Sequence, residues 1–214
     1  SAYPWSASGF GTKVDNPTTL ATVGRGVAFS ALSDAVALAH STSPFVSAWP
    51  WTVSGFGTRF SDPATLPTGI GYSVKFSPAT TEIIIGHGDS PFVSAYPWSG
   101  SGFGTKFTNP ATLPPSVVGG VDFSPAGTEV AMGHNLTPFV MAYPWSANGF
   151  GTKFANPATL PAERGYGIAF SPAGTELAVA NDTAPTVIAW GWSASGFGTK
   201  FSDPATLPPS NTGS

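Results

Sequence analysis

Short apolar runs alternate along this chain with clusters of Gly, Pro, Ser, Asn and Asp, and the last quarter shows the pattern most plainly. Gly167–Ser171 is apolar and β-prone, and Ser171–Gly174 then reads Ser-Pro-Ala-Gly, with Pro and Gly where a type I turn wants them. A second apolar run, Glu176–Ala180, is closed by the polar break Asn181–Pro185, and a third follows at Thr186–Trp190. A Gly/Ser-rich link leads to a fourth, Gly198–Phe201, which ends at Asp203–Thr206, where the Asx side chain can cap a turn. These four segments are strands a, b, c and d. Each is about five residues long and bounded by turn signals, and none carries a helical period.

The unit repeats. Gly-Phe-Gly-Thr begins at Gly9, Gly55, Gly102, Gly149 and Gly196, a period of about 47 residues. Trp5, Trp51, Trp98, Trp145 and Trp192 keep the same step. Four short strands in one such period predict an all-β protein, a β-propeller of four-stranded antiparallel blades. Blades are covered on both faces, so their strands need not alternate cleanly; Val121-Asp122-Phe123 and Glu129–Met132 show the expected mixture. The count is uneven: a lone c–d pair at residues 1–14 precedes full repeats at about 24–66, 69–113, 117–160 and 165–208. The expectation is one propeller domain over 1–214 with five blade positions, one of them incomplete. Two alternatives stay open: a four-bladed ring whose terminal c–d pairs compete for the last a–b pair, and an oligomer formed by strand exchange.

The string Gly-x-Gly-Val-x-Phe-Ser-Pro-Ala-Gly-Thr-Glu-Leu-Ala resembles the two inner strands of WD-repeat and YVTN-type propellers, and Pro91–Trp98 resembles their third strand. The WD dipeptide is absent, because Pro or Gly follows Tyr96, Tyr143 and Trp190 where Asp belongs. The side-chain network of WD repeats is therefore not carried over. The repeats are also similar to tandem propeller repeats of bacteriophage structural and tail-associated proteins. That resemblance implies a scaffolding role and a virion-associated setting. The near-identity of the units points to recent duplication, or to an engineered or truncated repeat protein.

Composition narrows the reading. Only 9% of residues are charged, against about 25% in ordinary domains. Low charge with 26 Gly and 22 Pro raises the question of disorder, but 13% aromatic content argues for a packed chain. A net charge of −3 leaves no basic footprint for nucleic acid. With no Cys, disulfides and thiolate metal sites are excluded. No apolar run approaches the ~20 residues of a membrane span, and Ser1–Trp5 lacks the pattern of a signal peptide, so a soluble chain is expected.

His40, His87 and His134 end successive b strands, and Asn181 takes the fourth place. A shared metal is the sharp reading; structural histidines whose hydrogen bond Asn can replace are favoured, because b strands lie away from the axis. Glu82, Glu129 and Glu176 recur one per blade, too far apart for an acid/base pair. No Gly-x-Ser-x-Gly, His-Glu-x-x-His or Walker-type loop occurs. Lys13, Arg59, Lys106, Lys153 and Lys200 share one place on strand d, where basic residues guard a sheet edge. Asn135-Leu136-Thr137 and Asn181-Asp182-Thr183 match the glycosylation acceptor pattern. Trp51, Trp98, Trp145 and Trp192 are expected to pack between blades, with stacking on sugars as the alternative.

Antiparallel strands put the d–a and b–c loops on one face. There the repeats differ, while Gly-Phe-Gly-Thr on the other face is nearly constant. The candidate binding residues are therefore Arg25, Tyr72, Arg164, Tyr166, Asp89, Asn135 and Asp182. The function expected is a non-catalytic repeat scaffold or binding module, with no cofactor and no metal. A multivalent lectin-like propeller is the alternative, and a lactonase-like enzyme is less favoured. Because the c–d pairs outnumber the a–b pairs, self-association through the half-blade is expected, first as a dimer, and deleting residues 1–14 should change it.

Overall fold

A computed structural model describes residues 1–17 and 23–206. Thr22 of the first d–a segment and residues 207 and 208 of the fourth repeat lie outside them. Eighteen strands and no helix are found among the described residues. The first two, β1 (Trp5–Ser6) and β2 (Gly9–Phe10), form a hairpin. Blade one contains β3 (Gly24–Phe29), β4 (Ala35–His40), β5 (Val46–Thr52) and β6 (Gly55–Phe56). Blade two contains β7 (Gly71–Phe76), β8 (Glu82–His87), β9 (Val93–Ser99) and β10 (Gly102–Phe103). Blade three is β11 (Val118–Phe123), β12 (Glu129–His134), β13 (Val140–Ser146) and β14 (Gly149–Phe150). Blade four is β15 (Gly165–Phe170), β16 (Glu176–Asn181), β17 (Val187–Ser193) and β18 (Gly196–Lys200).

Each blade is an antiparallel meander in sequence order, so the architecture is four complete blades and one half-blade. β16 pairs with β17, so the C-terminal c–d pair completes blade four and the N-terminal hairpin does not compete for it. Two boundaries differ from the sequence reading. Strand c runs on through Pro50, Pro97 and Pro144, and strand d is the first Gly-Phe of Gly-Phe-Gly-Thr, so Lys13, Arg59, Lys106 and Lys153 lie beyond it and only β18 reaches its lysine, Lys200. Proline is admitted because it is needed only as an acceptor: Gly104 N–H donates to the Pro97 carbonyl at 2.8 Å.

Serine closes each a–b turn. Its Oγ accepts from the backbone N–H five residues on, at 3.0 Å for Ser30 and Ala35 and 3.1 Å for Ser77 and Glu82. The fourth turn residue has positive φ, taken by Gly127 and Gly174 in blades three and four but by Ser33 and Thr80 in the first two.

The inner strands β3, β7, β11 and β15 pack side by side in that order. Between blades, small side chains meet large ones. Ala35, Ala37 and Ala39 of blade one pack with Ile83, Ile85, Tyr96 and Trp98 of blade two. Ala95 of blade two joins Val130, Met132, Tyr143 and Trp145 of blade three, and Ala131 and Ala142 of blade three meet Leu177 and Trp192 of blade four. The inner strands approach closely: a Cβ at Gly26 would come within 2.8 Å of Ser73 Cα.

One inner-strand position breaks the symmetry. Asp122, 8% exposed, sits 3.1 Å from Lys75 Nζ of blade two and accepts the Phe170 N–H of blade four at 2.8 Å. A single carboxylate thus ties three blades together. Asp122→Ala is expected to lower the unfolding free energy by about 2 kcal/mol, most of it from the backbone donor left without its charged acceptor. Urea unfolding checks this, and an unchanged midpoint would show that water replaces the carboxylate at no cost.

Candidate functional site

The paired aromatics of strand c divide into two jobs. In blades two to four the first of each pair is buried and reaches back to the preceding blade. Tyr96 and Tyr143 hydroxyls donate to the Thr65 and Thr112 carbonyls at 2.7 Å, and Trp190 Nε1 donates to the Thr159 carbonyl at 3.1 Å. Burial raises the hydroxyl pKa of both tyrosines, so they stay donors. The second of each pair is caged edge-to-face by phenylalanines. Phe60, Phe76 and Phe103 surround Trp98 with centroids 5.0–5.1 Å away. Trp98, Trp145 and Trp192 are 6%, 5% and 7% exposed and present no ring face for a sugar. Trp51 lacks a phenylalanine from the preceding position, where Val14 stands, and is only half-buried.

The histidines are buried and point into their own blades. Nε2 lies 3.0 Å from Ser47 Oγ for His40 and 3.0 Å from Ser94 Oγ for His87. His134 has Met141 where the others have serine, and its Nε2 has no partner. Burial lowers the pKa of His40, and brings His87 and His134 down to about 4. These are neutral core groups at ordinary pH. No three His, Asp or Glu side chains converge on a metal-sized site among the described residues.

The recurring basic residues have a local role that their sequence position did not suggest. Lys13, Lys106 and Lys153 donate to Asn16, Asn109 and Asn156, and Arg59 and Lys200 pair with Asp62 and Asp203. Each pins the Asx-Pro loop three residues further on. The signal was in the sequence as a repeated basic-x-x-Asx spacing.

The predicted loop face is assembled as the strand directions require. Thr68 Oγ1 donates to the Asp89 and Ser90 carbonyls, and Asn135 N–H donates to Ser116 Oγ at 3.0 Å, so d–a and b–c loops lie together. Every b–c loop carries a cis peptide before Pro44, Pro91, Pro138 or Pro185. Five of the seven candidate residues gather in two groups. The Arg25 guanidinium lies over the Tyr72 ring, 4.9 Å from its centroid, across the boundary between blades one and two. On blade four, Tyr166 donates to Asp182 Oδ2 at 3.1 Å, and Arg164 Nε lies 3.8 Å from the same oxygen. Asp89 and Asn135 join neither group; their backbones bond to Thr68 and Ser116 of the adjacent d–a loops. Gly119 holds the equivalent of the tyrosine position on blade three, and leaves it bare.

No family model matches this chain, and no curated protein does. The site must therefore speak through its chemistry. It has tyrosine rings, guanidinium groups and the separate carboxylates Asp89 and Asp182, but among the described residues no nucleophile beside a base.

A second feature lies at the N-terminal end of the row of blades. A cavity of 520 Å³ opens between the hairpin and blade one, lined by Tyr3, Phe10, Val27, Phe29, Leu38 and Trp49. Val27 and Phe29, whose counterparts Val74 and Phe76 are buried, are 65% and 51% exposed there.

Proposed function

We propose that this chain is a non-catalytic repeat scaffold that holds a loop face against a protein partner. The reading rests on two arginine–tyrosine groups, exposed Arg25 over half-buried Tyr72 and exposed Arg164 with Tyr166 and Asp182, on the face whose loops differ between blades. Tyr and Arg supply large, amphipathic contact area and dominate the energetics of protein interfaces. The resemblance of the repeats to WD-repeat, YVTN-type and phage tail-associated propellers supports the same reading and suggests a virion setting. A lactonase-like activity gains no support, since His40, His87 and His134 stand on three different blades, as do Glu82, Glu129 and Glu176.

Probing peptide and glycan arrays with the labelled chain tests this. The double variants Arg25→Ala/Tyr72→Ala and Arg164→Ala/Tyr166→Ala should weaken bound peptides about tenfold or more, with an unchanged circular dichroism spectrum. Glycan binding that survives both double variants would favour the lectin-like alternative and sink this one.

A further inference from the structure

We propose that copies of this chain join head to tail, blade four of one docking on the N-terminal hairpin of the next, with Phe201 filling a slot at Gly9 beside Trp5. The chain makes this joint three times within itself. Phe60 packs edge-to-face on Trp98 at 5.1 Å, Phe107 on Trp145 at 5.3 Å and Phe154 on Trp192 at 5.4 Å. Each phenylalanine also covers the first Gly of the next Gly-Phe-Gly-Thr, at Gly102, Gly149 and Gly196. The two ends of the row carry the halves left over. Phe201 is 50% exposed on blade four, and Trp5 and Phe10 are 73% and 77% exposed on the hairpin. A Cβ built on Gly9 meets nothing within 4 Å.

Both halves already hold the shape of the joint. Phe201 N–H donates to the Ala189 carbonyl at 2.9 Å, as Phe60 does to Ala48 and Phe107 to Ala95. The hairpin closes with Gly11 N–H on the Pro4 carbonyl at 2.9 Å, the bond Gly57 makes to Pro50. Trp5 meets Phe10 at 4.9 Å, as Trp145 meets Phe150. Tyr3 stands where Tyr96 and Tyr143 stand, and Thr206 where Thr65 and Thr112 stand, so the joint brings a hydroxyl donor to its carbonyl as well. A second copy supplies this blade-to-blade contact with both halves already in shape, which keeps the cost of ordering low. The contact is heterologous, so it propagates from copy to copy until a ring closes.

Sedimentation of the whole chain over a wide concentration range is the test. The mass should rise above 21.8 kDa with concentration. Phe201→Ala and Trp5→Ala should each raise the dissociation constant about tenfold or more, with folding checked by circular dichroism. Mixing the two variants restores one intact joint per pair and should give a dimer and nothing larger. A wild-type mass that stays at the monomer value overturns the proposal, including the case in which Phe201 reaches Trp5 of its own chain. A mixture that stays monomeric while the wild type associates also overturns it, because the contact is then not head to tail.

Discussion

Trp98→Ala is expected to lower the unfolding free energy by about 3–5 kcal/mol, through lost transfer free energy and the cavity left behind. The indole is 6% exposed and touches three phenylalanines, Phe76 and Phe103 on strands of its own blade and Phe60 on the segment after β6 of the preceding blade. Phe76 and Phe103 are held by strand backbone and the Phe60 N–H is bonded to the Ala48 carbonyl, so the rings cannot close on the space. The hairpin offers a control at the same repeat position. Trp5 is 73% exposed, so Trp5→Ala in dilute protein should change stability by less than about 0.5 kcal/mol. Urea unfolding followed by circular dichroism measures both. A Trp98→Ala cost below about 0.5 kcal/mol would mean that the ring is open to solvent, and would bring sugar stacking back into play.

Stability should also fall steeply between pH 6.5 and 4. His87 and His134 have pKa values of about 4 in the folded chain, with burial as the first cause, against about 6.5 in the unfolded chain. The unfolded state takes up the proton first, so the contribution is fully present above pH 6.5. It drains away as pH falls toward 4. A gap of that size corresponds to roughly 3 kcal/mol for each imidazole. His40 acts in the same direction. Carboxylates titrate over the lower end of the window, and the double variant His87→Asn/His134→Asn separates them. Asn181 already fills this position in blade four. The wild type should lose clearly more stability than the double variant between pH 7 and 4. Equal losses would show that these imidazoles reach solvent and titrate normally.

Much of the fold was legible because a blade is a local object. A meander joins neighbours in sequence, so the period, the Ser-Pro-Ala-Gly turn and the polar b–c break were enough to place a, b, c and d. The loop face followed from strand direction alone. The strand ends were less legible: proline inside strand c reads as a break until its carbonyl is seen to be the only group the ladder needs.

The amino-acid sequence by itself determined the four-stranded repeat, the uneven count of strand pairs, the side on which the variable loops lie and the absence of thiol chemistry. Tertiary structure decided what each repeated residue does. Trp5 and Trp98 share a position and a local sequence, yet one is bare and the other caged. The difference is the phenylalanine that a preceding blade brings and the one on strand a, which the hairpin does not have. Asp122 had no special standing in the sequence until two other blades delivered Lys75 and the Phe170 N–H, the latter 48 residues away. Hydrogen bonds within a blade are written in the local alternation of residues. The pairing of small faces with large ones across blades depends on which surfaces the packing brings together, and only the folded chain holds that information.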